Sequence, residues 1–468
     1  MDYEEFLSHQ KSKIIAPAGY GKTHSLAQCV KHVQDKALIL THTHAGVAAI
    51  KDKLKAQLVA PEKYHVETIS SFSQKYTNSY YIGGDIPEQD TSNEFHSFML
   101  EKSREICATK IIQDVLKNSY ERIFVDEYQD CTQEQHALLQ ELSKGIPIHI
   151  FGDPMQGIFG FREQQLVDFD NDLDEFYEAP SLSIPFRWNN AGSNGLAQDL
   201  HSMRIALEQG EDLDLNNYLN VEIVQAQEAE QYRHGTDYQR TIHNLRTLDS
   251  LLVIHPDPTR KQQRVDFSKR FRGINTIESI DDKDFYRIAK LCDNVDLTNK
   301  ILSVRNISYE LFDKTGLDIW FNKNGLKNKR VEADKEISGL VSTNIDAITS
   351  EYDLARAIEQ VKNMPEVRCT RIEIYKSIIS AITIAREDGS SIYEAMKKQR
   401  NIVRRQGRKI YGNHIGTTLL TKGLEFDTVL ILDAHKIKCP KNLYVALTRC
   451  CSRLIVITEN RQLHPYPM

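Results

Sequence analysis

Ala16-Pro17-Ala18-Gly19-Tyr20-Gly21-Lys22-Thr23 fits the pattern G-x-x-x-x-G-K-[ST] with alanine in place of the first glycine. Alone, such an octapeptide also reads as a glycine-rich turn capping a helix. Its flanks decide between the two. Lys13-Ile14-Ile15 leads in as a short apolar strand and His24 to His32 continues with amphipathic spacing, the strand–loop–helix setting the pattern requires. About a hundred residues later, Ile123-Phe124-Val125-Asp126-Glu127 places an acidic pair at the end of an apolar strand. The two signals fit one chemistry. The loop from Ala16 to His24, with Pro17 inside it, would cradle phosphates through the N–H groups of its other residues, and Lys22 would reach the β- and γ-phosphates. Thr23 and Asp126 would hold Mg²⁺, with Glu127 next to them as the base that orients water. The sequence thus points to hydrolysis of a nucleoside triphosphate, with ATP and Mg²⁺ as the expected cofactors.

Outward from this loop, apolar β-type runs recur at residues 37–40, 122–125, 146–151, 251–254, 428–432 and 454–457. Most are separated by helical stretches, which predicts an α/β chain of parallel sheets covered by helices on both faces. Two stretches depart from that rhythm. Residues 75–118 are polar and helical around Gly83-Gly84, and residues 275–400 are mostly helical, with 3.6-residue apolar spacing over 354–361 and 372–385. Both read as insertions into the α/β cores.

A chain of 468 residues exceeds one ordinary core, and its 40% apolar and 26% charged residues are those of a soluble globular protein. The sequence has no apolar run of membrane-spanning length, and its start, Met1-Asp-Tyr-Glu-Glu-Phe, does not resemble a targeting segment, so a cytoplasmic protein without membrane contact is expected. Eight cysteines without C-x-x-C spacing argue against zinc or iron–sulfur sites, and Cys450-Cys451 reads as reduced thiols. A net charge of -6 excludes a globally basic nucleic-acid binder but permits a local basic channel. Arg260, Lys261, Arg264, Lys269, Arg270 and Arg272 form one basic cluster, and a second spans residues 397–409. Each is either part of such a channel or a solvated helix face.

Further short motifs follow in order: Leu40-Thr41-His42-Thr43-His44-Ala45, Val66-Glu-Thr68-Ile-Ser70-Ser71-Phe72, Val125-Asp126-Glu127-Tyr128-Gln129-Asp130, and the segment from Phe151 through Gly152-Asp153-Pro154-Met155-Gln156 to Phe161-Arg162. Then come Leu182-Ser-Ile-Pro185-Phe186-Arg187, Thr417 to Asp427 with Lys422-Gly423-Leu424-Glu425-Phe426, and Leu443-Tyr444-Val445-Ala446-Leu447-Thr448-Arg449. This series resembles the superfamily 1 helicases of the UvrD, Rep and PcrA type, over roughly residues 10–190 and 400–460. The resemblance implies two RecA-like cores with ATP between them: residues 1–190 with the first insertion, and residues 191–274 plus 401–468, the second core being interrupted by a mostly helical insertion at 275–400.

By the same resemblance Gln156 senses the γ-phosphate, Phe186 stacks on the base, Glu425 belongs to the nucleotide site, and Arg187 and Arg449 are arginine fingers. Thr41, Thr43, His44, Thr68, Ser71, Phe72, Phe161, Arg162 and Thr417 would contact DNA. The implied partner is single-stranded or partly duplex DNA, and the implied activity is 3′→5′ translocation coupled to ATP hydrolysis. Aromatic stacking and a guanidinium suit a strand read without regard to sequence.

The chain also departs from that family. The upstream glutamine that reads adenine has no counterpart, since Gln10 lies too near Ala16, which leaves base selectivity open and predicts acceptance of GTP. Leu419 stands where a histidine is usual, the first insertion is short, and nineteen residues follow Arg449. The compact layout resembles helicase-like subunits of Gabija-type phage defence, which predicts a partner nuclease. Tyr309, Leu311, Phe312, Ile319, Trp320 and Phe321 are candidates for its docking patch, or else an internal core. Two other functions fit parts of the pattern. A DNA-end-sensing, nucleotide-gated regulatory subunit would use every motif, whereas a small-molecule kinase would have no use for Gln156, Arg162, Arg187 or Arg449.

Overall fold

The apolar runs become strands of two sheets. In the computed structural model, which describes residues 1–88, 92–158, 165–277, 282–406 and 412–466, the first sheet contains β1 (Lys11–Ile15), β2 (Ala37–Thr41), β3 (Tyr64–Thr68), β4 (Arg122–Val125), β5 (Ile148–Gly152) and β6 (Tyr177–Glu178). Their order is β3-β2-β4-β5-β1-β6 and every neighbouring pair is parallel. β2 and β5 are buried along their whole length, which is why they read as continuous hydrophobic runs without alternation. The register pairs Ile15 with Gly152, Thr41 with Thr68, and Val125 with Ile150. The turns that follow these strands therefore leave from one carboxyl edge, where ligands of parallel sheets bind.

The second sheet contains β7 (Val221–Gln225), β8 (Leu251–Ile254), β9 (Asn275–Thr276), β10 (His414–Gly416), β11 (Phe426–Ile431) and β12 (Cys450–Thr458). Its order is β9-β10-β8-β11-β12-β7, again parallel throughout. β3, β6, β7, β9 and β10 are not among the apolar runs of the sequence. Most of these lie at sheet edges or run for two or three residues, and β3 carries His65 and Glu67 on a half-exposed strand, so none presents a sustained apolar run.

Apolar side chains cover both faces of both sheets. One cluster joins Leu26, Val30 and Phe151 to Val429, Leu454 and Val456. On the other face of the first sheet Leu40, Phe72, Val125 and Tyr128 pack together, and on that of the second, Tyr238, Phe267 and Leu430.

Both sheets belong to one compact unit, and a second unit comprises Gly84–Phe98 and Glu278–Arg405. Within that second unit, helices include Lys300–Leu311, Lys314–Trp320, Leu354–Lys362 and Ile372–Asp388. Its interior holds Leu311, Phe312, Trp320 and Phe321, none more than 3% exposed. The expected docking patch is thereby corrected: short helices with this many large apolar residues bury them against one another. Of the six candidates, Ile319 is exposed, and the Tyr309 hydroxyl donates to Asp318. Among the described residues no helix is long and apolar enough to cross a membrane.

Candidate active site

β1 delivers the chain into the phosphate-loop turn, where the Ala16 N–H donates to the Gly152 carbonyl. Gly19 and Gly21 both have positive φ, +74° and +90°. A Cβ at Gly19 would lie 2.6 Å from the Trp188 ring, and one at Gly21 would lie 3.0 Å from the Phe186 ring. Only glycine satisfies both the backbone and the space. The helix Lys22–Lys31 then starts with no side-chain cap, so its first N–H groups are left for an anion.

Lys22 is buried, its ammonium donating to the carbonyls of Ala16 at 2.7 Å and Pro17 at 3.0 Å. Burial lowers its pKa, opposed by the charges of Asp153, Glu127 and Asp126. Thr23 Oγ1 donates to Asp126 Oδ2 at 2.9 Å. Glu127 takes a left-handed backbone, φ +60°, and accepts a hydrogen bond from the Gln129 amide. The two carboxyls are pushed apart. Burial raises Asp126, with the Glu127 charge acting in the same direction. For Glu127, burial is outweighed by Lys422, Lys22 and Arg449, which hold it below the usual carboxylate range.

The turn after β5 connects this site to the second sheet. Gln156 Nε2 donates to Asp153 at 2.9 Å, while Gln156 Oε1 accepts from Arg449 at 2.8 Å. Lys422 is ion-paired with Asp130 at 2.5 Å and also donates to the Gln156 carbonyl. Arg187 pairs with Glu425 at 2.5 Å and donates to the Thr448 carbonyl. Burial and then the neighbouring Arg187 charge lower the Arg449 pKa to about 10. These groups surround one cleft of about 600 Å³.

Most of the expected nucleotide set meets there. Ala18, Gly19, Gly21, Lys22, Thr23, His24, Phe186 and Glu425 line the cleft together with Asp126, Glu127, Gln156, Arg187 and Arg449. Ala16 and Pro17 act through their carbonyls on Lys22. The Tyr20 ring is buried in the core and its hydroxyl lies 3.3 Å from His201 Nδ1, so only its backbone is offered to the loop.

The expected DNA set is less uniform. Phe72 is corrected outright: its ring is 0% exposed and packs on Tyr76, so no base can reach it. Thr41 and Thr43 line the same cleft as Lys22 and Asp126. Thr43 caps the helix His44–Ala56, which begins at His44, by accepting from Gly46 N. Thr68 caps Ile69–Tyr80, accepting from Ser71 N and donating to Ser71 Oγ. Thr417 caps Thr418–Thr421. Each cap uses a lone pair of its hydroxyl, whereas contact with a DNA phosphate would use the O–H. Phe161 and Arg162 lie outside the described residues.

Three groups gained importance only from the fold. Arg204, on the helix Asn194–Glu208, makes a buried ion pair with Asp153 at 2.8 Å. The Tyr444 hydroxyl accepts from Arg204 at 2.8 Å and from the loop amide of Ala18 at 3.1 Å. Lys422 and Tyr444 stood inside quoted motifs, whereas Arg204 carried no signal in its surroundings.

Parts of the chain match known proteins. Residues 3–162 match a family model described as an AAA domain. Over 79 residues the chain is 33% identical to an ATP-dependent helicase/nuclease subunit of Leuconostoc mesenteroides, covering 17% of this chain but spanning only 6% of that protein. Over 401 residues it is 21% identical to Gabija protein GajB of Bacillus cereus, covering 80% of this chain and 71% of that one. Against the crystal structure of Pif1 helicase from Candida albicans the TM-score is 0.40 at 14% identity, covering 98% and 94% of the two chains. With its motif series spread over two parallel sheets and a relative matched along four-fifths of its length, the chain resembles the UvrD-like superfamily 1 helicases, in a compact form similar to GajB.

Proposed function

We propose that the chain hydrolyses ATP with Mg²⁺ and couples that hydrolysis to 3′→5′ movement along single-stranded DNA, stimulated by the DNA and exerted beside a nuclease in phage defence. The observation that carries this reading is the single cleft in which Lys22, Thr23, Asp126 and Glu127, beyond the carboxyl edge of the first sheet, meet Arg187 and Arg449, the latter leading into β12 of the second sheet.

The residues fit the groups they would hold. The loop excludes a Cβ at Gly19 and Gly21 and leaves an uncapped helix start, a cradle suited to phosphate. The Thr23 hydroxyl and Asp126 carboxylate supply oxygen ligands of the kind Mg²⁺ prefers. Bound there, the ion would neutralise charge on the β- and γ-oxygens.

Around it, Lys22 binds phosphate and Glu127, held ionised by three cations, takes a proton from water. Gln156 holds the γ-phosphate side, and Arg187 and Arg449 stabilise charge that develops in the transition state. Because Gln156 and Arg449 are bonded to each other, occupancy of the phosphate side is felt by the second sheet, and alternating closure would move the strand. Association with a nuclease draws support from the name of one relative, the helicase/nuclease subunit of Leuconostoc mesenteroides.

The test is ATP turnover with and without single-stranded DNA, followed by strand displacement on duplexes with 3′ or 5′ tails. DNA stimulation together with displacement from the 3′ tail is expected, and turnover indifferent to DNA would reject the reading. One observation favours a second reading, a nucleotide-gated DNA sensor with little unwinding: the buried Lys422–Asp130 pair already joins the two sheets. Stimulation without displacement would select it.

A further inference from the structure

The phosphate end of the cleft is accounted for, but its base end carries a polar group that the proposed chemistry does not use. Gln10, the nearest match to the missing adenine reader, sits before β1, at the sheet edge opposite the phosphate loop, with its amide donating to the Ser143 carbonyl. It cannot reach the base. Gln57 can. It caps the carboxyl end of the helix His44–Ala56 and lines the cleft together with His24 and Phe186, whose rings lie nearly parallel at 26°.

The orientation of that amide is fixed by its partners. Gln57 Oε1 accepts from Lys31 Nζ at 3.0 Å and from Gln28 Nε2 at 2.8 Å. An ammonium can only donate, so the oxygen must face Lys31 and the NH₂ must face the other way, toward His24 Nδ1 at 3.5 Å. Gln57 therefore offers hydrogen-bond donors at the base end and keeps its acceptor for Lys31 and Gln28.

This differs from a glutamine free to read adenine with both ends of its amide. Adenine presents an acceptor at N7 and a donor at N6, whereas guanine presents acceptors at both N7 and O6. A donor-only amide pairs with N7 of either purine and with O6 of guanine, but has nothing to accept from N6. Pyrimidines lack N7 and offer Phe186 a smaller ring. We infer that Gln57 is the base reader of this site and that, locked as a donor by Lys31 and Gln28, it selects purine nucleoside triphosphates with GTP taken at least as well as ATP. The inference rests on the nucleotide site proposed above.

The test measures equilibrium binding of ATP, GTP, CTP and UTP to the purified full chain with Mg²⁺, and hydrolysis of each. Wild type should bind GTP no more weakly than ATP and either purine about tenfold better than the pyrimidines, the scale of one to two hydrogen bonds. Gln57→Glu keeps an oxygen for Lys31 and turns a second acceptor toward the base, so the ATP:GTP affinity ratio should rise about tenfold. Lys31→Met, remote from the phosphates, unlocks the amide and should move the ratio a few-fold in the same direction. Gln57→Leu should lower purine binding toward the pyrimidine level, and a thermal melt of each variant excludes misfolding. An ATP preference of about tenfold or more in wild type, or an ATP:GTP ratio unmoved by Gln57→Glu, overturns the inference. Binding and turnover separate the two levels. Base-selective binding without hydrolysis would refute the proposed activity and leave Gln57 as the reader, and brisk hydrolysis with unaltered ratios would do the reverse.

Discussion

Arg449 donates a 2.8 Å hydrogen bond to the side-chain oxygen of Gln156, joining residues 293 positions apart. The nitrogen of the same amide is held by Asp153, so both ends of Gln156 are engaged and its orientation is fixed. Asp153 in turn is paired with Arg204, which reaches the Tyr444 hydroxyl. A chain of charge-assisted bonds therefore runs from the turn after β5 to the helix Pro440–Leu447 that precedes Arg449. Such bonds are about twice as strong as neutral ones, and breaking one leaves a buried group unpaired.

Arg449→Ala and Arg187→Ala should therefore leave nucleotide affinity within a few-fold while lowering turnover by about 10³ or more, because each guanidinium acts on charge present mainly in the transition state. Affinity and single-turnover rate are measured separately. Equal loss in both would assign the arginines to ground-state binding.

Lys22→Ala should weaken nucleotide binding and abolish hydrolysis, whereas Glu127→Gln should bind normally and fail to turn over. The ammonium neutralises phosphate in every state, while the carboxylate is needed only to take a proton. A calorimetric titration of both variants decides the matter, and parallel losses of affinity would contradict the assignment.

How far these roles were legible in the sequence depended on whether the chemistry was local. The loop, the Asp126-Glu127 pair and the buried strands β2, β4, β5, β8 and β11 announce themselves, because the phosphate cradle and a doubly covered strand each impose a contiguous pattern. Arg204 and Gln57 do not, since each gains its role from a partner distant in the chain: Asp153 for the first, His24 and Lys31 for the second. Phe72 misled for the opposite reason. Its motif-like setting says nothing about which face of the helix Ile69–Tyr80 turns inward, and that face is decided by packing against Leu40 and Val125.

Gly19→Ala should destabilise the fold by about 1–3 kcal/mol and impair nucleotide binding. It adds a Cβ 2.6 Å from Trp188 at a backbone φ of +74°. Gly84→Ala is the control, since no heavy atom lies within 4 Å of its added Cβ and its φ is not positive. Urea midpoints compare the two, and equal shifts would mean that Trp188 yields without cost.

Asp433 gives a pH dependence separate from the nucleotide cleft. It is 4% exposed, takes a left-handed backbone at φ +45°, and its Oδ1 has no hydrogen-bond partner among the described residues. Burial raises its pKa from 3.8 to about 6; the Lys436 charge opposes the shift, and Glu228 and Glu459 reinforce it. The folded chain thus prefers the protonated acid. Its stabilising contribution is complete below about pH 3.8 and is lost as pH rises through about 6, where ionisation costs the folded state up to about 3 kcal/mol for a shift of about two units. Asp433→Asn substitutes a neutral side chain that tolerates the same left-handed backbone. The variant should be more stable than wild type by about 1–3 kcal/mol at pH 8, with the difference shrinking toward zero near pH 4. Other titrating groups are common to both proteins and cancel in the comparison. Urea midpoints at several pH values read the difference directly. A gain of the same size at every pH would show that the Asp433 carboxyl titrates alike in the folded and unfolded chain.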